Sequence, residues 1–149
     1  MEIEVLEEYR QLSLITPTRI FYVLGAKEQQ KIRSSFDGFF RREILPLIPL
    51  NLARRLYSGK SSGRPPAFLI EEIAARIYIR CQGLDETYFL SHVHTDAAIQ
   101  YALGTENLAK QPFSRNTFKR QRERIREYNK EFDADIWNDM IPGSKGVVL

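Results

Sequence analysis

Few residues in this chain have the type and spacing to do covalent or metal chemistry. His92 and His94 form an H-x-H pair in the sequence neighbourhood of Cys81 and Asp96. Side chains two apart on a helix point to different sides, so the two rings cannot easily share a metal ion. A structural or solvated role suits them better. Glu131, Asp133, Asp135 and Asp139 crowd the end of the last predicted helix. Paired carboxylates can hold two magnesium ions for phosphodiester chemistry. On one continuous helix, without a strand scaffold, an acidic solvated face is the better expectation. Gly59-Lys60-Ser61 looks like the end of a phosphate-binding loop, but Arg54 stands where the earlier glycine belongs and no apolar strand leads in. Ser, His and Cys offer no nucleophile–base arrangement. The sequence therefore predicts no catalytic residue, no metal site and no cofactor, and no enzymatic activity for this chain alone.

The cations are better patterned. Arg115, Lys119, Arg122, Arg126 and Lys130 follow one another at helical spacing and form one stripe. Phe118, Gln121, Ile125, Tyr128, Phe132 and Ile136 form a second, and Glu123, Glu127 and Glu131 lie on a third side with Arg120 and Arg124. One face could pack on a core while the cationic row follows a phosphate backbone. A solvated face helped by Arg–Glu pairs explains the row equally well. Lys60 and Arg64 fall in Ser58-Gly59-Lys60-Ser61-Ser62-Gly63-Arg64-Pro65-Pro66, the clearest loop. A short extended arm with one Arg can enter a minor groove. An exposed inter-helix loop is the simpler alternative.

The elements that carry these residues read as helices throughout. Glu2 to Leu12 and Ile20 to Leu24 are short candidates. A longer helix is expected from Ala26 to Leu45, with Ile32, Phe36, Phe39, Phe40 and Ile44 on one face; Gly38 weakens it, and Pro46 and Pro49 end it. A helix over 67–82 has a polar ladder of Glu72, Arg76 and Arg80 beside an apolar face that includes Cys81. Gly83 caps it. Asp85 and Thr95 are expected to cap two short helices, 86–94 and 96–103, the second closed by Gly104. Ser114 then caps a helix running from Arg115 to about Met140. Three short helices joined by tight turns over 67–103 suggest a helix-turn-helix-like unit. Asp96 to Leu103 is its candidate recognition helix, although its side chains suit base reading poorly.

The 149 residues carry 22 Lys+Arg and 19 Asp+Glu, net +3. That small excess hides two blocks of +5, residues 32–80 and 115–130, between segments that are neutral to acidic. Two basic blocks suit a local surface for a polyanion, although composition alone favours plain solvated helix faces. One cysteine excludes an internal disulfide framework and suggests a reducing, cytoplasmic setting. The acidic start lacks a secretory pattern, and the longest uncharged stretch, Ile44 to Ala53, is half of what a membrane span needs. No membrane partner is expected.

Ser62-Gly63-Arg64-Pro65-Pro66, Gly83-Leu84-Asp85-Glu86, Asp96-Ala97-Ala98-Ile99-Gln100-Tyr101-Ala102-Leu103-Gly104 and Pro112-Phe113-Ser114-Arg115-Asn116-Thr117-Phe118 occur in an order that resembles the N-terminal domain of InsH-type insertion-sequence transposases. The resemblance spans about Leu50 to Lys130. It implies an all-α, DNA-binding or assembly part that precedes a nuclease domain with a DDE carboxylate triad. The chain reaches Leu149, where that nuclease domain would begin, so no catalytic acid carries over. Three parts are expected: a helical segment of unknown role at 1–49, a transposase-like DNA-binding domain at 50–141 and a tail at 142–149. The expected partner is double-stranded DNA, at element ends and at the nucleoid, contacted by Lys60, Arg64, Arg115, Lys119, Arg122 and Arg126. The alternative is an interaction module that dimerises, or docks a catalytic transposase chain, through the apolar stripe from Phe118 to Ile136.

Overall fold

Nine residues of the helix Leu69–Gln82 are buried, among them the unbroken run from Glu72 to Ile79. Eight consecutive buried positions cover more than two turns, so this helix has no solvent face along that stretch and the other helices wrap around it. The computed structural model describes residues 20–57 and 67–140, and every regular element among them is helical. In chain order they are α1 (Ile20–Val23), α2 (Ala26–Ser34), α3 (Phe36–Phe39), α4 (Leu50–Arg55), α5 (Leu69–Gln82), α6 (Glu86–His92), α7 (Ala97–Leu103), α8 (Arg115–Phe132) and α9 (Ile136–Met140). A π turn, Phe40–Ile44, and a 3₁₀ turn, Leu45–Leu47, continue α3 toward α4.

Several boundaries follow the chemistry of the caps. Gly83 adopts φ 62°, which only glycine does without strain, and Leu84 N–H donates back to the Ile79 carbonyl at 2.9 Å. Asp85 Oδ1 accepts from Thr87 N–H at 2.7 Å, and Ser114 Oγ from Thr117 N–H at 3.2 Å. The cap of α7 is Asp96, whose Oδ1 accepts from Ala98 and Ile99 N–H, and not Thr95.

The helix expected over 26–45 is broken at Ser35, which is extended (φ −85°, ψ 179°). Its hydroxyl donates to the Ile32 carbonyl at 2.6 Å, closing α2, and accepts from Asp37 N–H at 3.2 Å, opening α3. Gly38 permits the sharp bend. A Cβ there would lie 1.9 Å from the Arg33 carbonyl oxygen. The helix expected to run to Met140 stops at Phe132, because Asp133 turns into the left-handed region (φ 46°). Asn129 closes that break through its carbonyl, which accepts from Ala134 N–H, and its side-chain oxygen, which accepts from Ile136 N–H.

An aromatic chain ties the layers together. Phe40 meets Tyr78 edge-on at 5.4 Å, Tyr78 lies 6.5 Å from Phe89, and Phe89 meets Phe118 edge-on at 5.7 Å. Tyr78 also donates to Asp37 Oδ1 at 2.6 Å, and burial and that carboxylate raise its pKa. Phe40 and Ile48 share one buried cluster with Phe89, Phe118 and Trp137, so the core crosses the boundary expected between 49 and 50.

No residue of 96–103 is exposed. Phe21 stacks on Tyr101 at 4.6 Å, and Arg41 covers the same ring at 4.3 Å while donating to the Tyr101 carbonyl at 3.0 Å. Arg41 is itself held by buried Glu106 at 2.5 Å. The candidate recognition helix is therefore packed against α1 and the α3 region, and it shows only the part-buried Asp96, Ala97, Ala98 and Tyr101 on its outer side. Sequence periodicity missed this because the covering residues precede it by 60 to 80 positions.

Alanine is the better helix former by about 1 kcal/mol. Gly38→Ala should nonetheless lower stability by about 1–3 kcal/mol, because α3 must move away from Arg33. Urea denaturation checks this, and an unchanged or raised midpoint would contradict the close approach.

Candidate nucleic-acid interface

The helix α8 opens without an acid in its first turn and carries Arg115 at its first position. Cations there oppose the helix dipole, so local stability does not explain them. The rotation of α8 is fixed by its inward residues. Phe118 and Gln121 are fully buried, Tyr128 nearly so, and Ile125 packs against the core.

Gln121 is the anchor. Its Nε2 donates to the Glu72 carbonyl at 2.7 Å and its Oε1 accepts from Arg76 Nε at 2.9 Å. Arg76, with a side chain only 10% exposed, reaches Glu86 at 2.6 Å and lies over the Phe118 ring. Glu86 also binds Arg122. The polar ladder expected on α5 is thus not a solvent face. Glu72 and Arg76 point into the bundle, and Arg76 pairs with residues of α6 and α8 instead of with Glu72. Burial acts on these groups in opposite senses, lowering the pKa of Arg76 and raising that of Glu72 to about 7, with the nearby Arg120 charge opposing the latter. Tyr57, whose hydroxyl donates to Glu72 Oε2 at 3.4 Å, is pushed up to about 12 by burial and by Glu72.

Outward, α8 presents its cations. Arg115, Lys119, Arg126 and Lys130 are exposed and form no ion pair among the described residues. Arg122 is exposed as well, but Glu86 holds it and makes it a structural bridge. Asn116, Lys119, Arg120 and Glu123 line a shallow open depression of about 430 Å³ on the same helix. Sequence reasoning placed Arg120 and Glu123 on a separate side and did not single out Asn116; the spacing i, i+3, i+4, i+7 held the signal. Lys60 and Arg64 lie outside the described residues.

The apolar stripe from Phe118 to Ile136 does not remain available for a partner. Phe118, Tyr128 and Ile136 are buried within the chain, and only Phe132 is substantially exposed, at 43%. The acids at the chain's end are likewise not on one helix, since Asp133 ends α8 and Asp135 caps α9 by accepting from Trp137 N–H. Among the described residues no cluster of His, Cys, Asp and Glu could hold a metal ion, and no helix is long and apolar enough to cross a membrane.

The fold and the site thus define an all-helical chain with a basic helix face turned to solvent. No family model, no curated protein and no solved structure matches it.

Gln121→Leu leaves Arg76 Nε without its acceptor and removes the second bond to the Glu72 carbonyl in the interior. It should cost about 2–3 kcal/mol by denaturant titration; a loss no larger than that of a surface substitution would count against the anchor.

The Glu72 carboxyl has its folded pKa raised above the ordinary value of 4.5, so the folded chain holds this proton more tightly than the unfolded one. Its contribution to stability is complete below pH 4.5 and is lost as pH rises through about 7. Glu72→Gln should remove that fall. Thermal melts from pH 4 to 8 should show a shallower slope in the variant, and parallel curves would contradict the assignment.

Proposed function

We propose that this chain binds double-stranded DNA through the solvent face of α8, as the non-catalytic part of a transposase-like protein. Arg115, Lys119, Arg126 and Lys130 lie along the phosphate backbone, and each neutralised phosphate releases counterions. The observation that carries this reading is the row of exposed cations with no acidic partner among the described residues, spread over about 22 Å of helix at 1.5 Å per residue. A solvated face sustained by ion pairs would engage them, and among the described residues only Arg122 and Arg124 of this helix are so engaged. The transposase part of the proposal rests on the order of motifs from Ser62 to Phe118. In that role the chain works at the nucleoid, recognises element ends and cuts nothing by itself. Lys60 and Arg64, from the loop before Pro65, add a second contact to DNA.

The test is binding to labelled duplex across a salt series, with the triple variant Arg115→Glu, Lys119→Glu, Arg126→Glu alongside. Glu at the first position suits the helix dipole, and at the other two Glu is about as good a helix former as Lys or Arg, so the variant should keep its helicity. The native chain should lose affinity steeply as salt rises, and the variant should flatten the log–log slope by about 3 and abolish binding at moderate salt. Equal binding by a folded variant would remove the assignment.

A further inference from the structure

We propose that on the outermost face of α8, beside the phosphate contact of Lys119, Asn116, Arg120 and Glu123 read base edges in the major groove, with Asn116 recognising adenine. This rests on the DNA-binding reading above and goes beyond contact with phosphates.

The geometry comes first. Phe118, Gln121, Ile125 and Tyr128 fix the inward side of the helix. At about 100° per residue, Asn116, Lys119, Arg120 and Glu123 centre on the opposite side. They are the part of α8 that stands furthest from the bundle, and all four are exposed. A helix is about 10–12 Å wide with its side chains, and the major groove is about 12 Å wide. Arg115 and Arg126 flank this face on one side, where a backbone would pass. The other short-helix candidate, α7, is packed against Phe21 and Arg41.

The chemistry of the three base-reading side chains comes second. Arg donates to guanine O6 and N7, Asn pairs bidentately with adenine N6 and N7, and Glu accepts from cytosine N4. Glu123 is the informative member. A carboxylate in the middle of a surface that touched only phosphates would repel its ligand. Glu123 also has Lys119 one turn before it and Arg120 three residues before it, yet it forms an ion pair with neither among the described residues. The Asn116 amide forms no hydrogen bond among them either, whereas the other polar amides of α8, Gln121 and Asn129, are committed to the fold. An acceptor and an amide held outward and unengaged, in line with two cations, suit base edges.

The experiment is selection of binding sites from a randomised duplex pool by the full chain, native and Asn116→Ala, with binding to a fixed unrelated duplex measured in parallel. The native chain should enrich a short motif containing adenine. Asn116→Ala should bind the unrelated duplex as the native chain does, but lose about tenfold discrimination at one adenine position. Glu123→Gln should bind unrelated DNA more tightly while relaxing a different position. Salt-dependent binding with no enriched motif, or an identical motif from Asn116→Ala, would overturn base reading and leave the phosphate contact standing. Absence of binding to any duplex would overturn both.

Discussion

Arg76 places a charge in the middle of the helical bundle, and the surrounding helices are arranged to answer it. Removing a guanidinium from water costs several kcal/mol unless its donors are met. Here Nε is met by Gln121 of α8 and Nη1 by Glu86 of α6, with the Phe118 ring beneath, while Nη2 is buried without a hydrogen-bond partner among the described residues. Gln121 is tied at its other end to the Glu72 carbonyl, so α8 can neither slide nor roll on α5 without breaking two buried bonds. Glu86 is in turn shared with Arg122, which pins the middle of α8 from outside. The direction in which Asn116, Lys119, Arg120 and Glu123 face is a consequence of this clamp.

The clamp also separates two kinds of cation on one helix. Arg122 has a carboxylate partner and belongs to the architecture. Arg115, Lys119, Arg126 and Lys130 lack one among the described residues, and Arg115 stands where the helix dipole disfavours it. Local conflict of this kind is where function is to be sought. In the proposed role, a polyanion supplies what the fold withholds.

Much of the fold was legible in the sequence because its signals are local. Gly83, Asp85, Gly104 and Ser114 end or begin helices through bonds to residues at most a few positions away. The inward stripe of α8 was legible up to Tyr128 for the same reason. The interior charges were not. Glu72 and Arg76 fall on the polar side of an amphipathic pattern, and what covers them arrives 45 to 49 residues later in Gln121. The packing of α7 depends on Phe21 and Arg41, equally remote. The breaks at Ser35 and Asp133 escaped because side-chain bonds outweighed periodicity there. Of the candidate site, the cationic stripe could be read from spacing, but not which of its members Glu86 would claim.

The central claim is that DNA meets this chain on the outward face of α8 and nowhere on α7. Amide NMR of the folded chain, titrated with a short duplex, tests it most directly. The account predicts shifts concentrated at 115–130, strongest around Asn116, Lys119 and Glu123, with the amides of Ala97–Leu103 unmoved. Shifts centred on Ala97–Leu103, or saturating binding that leaves α8 unperturbed, would contradict it.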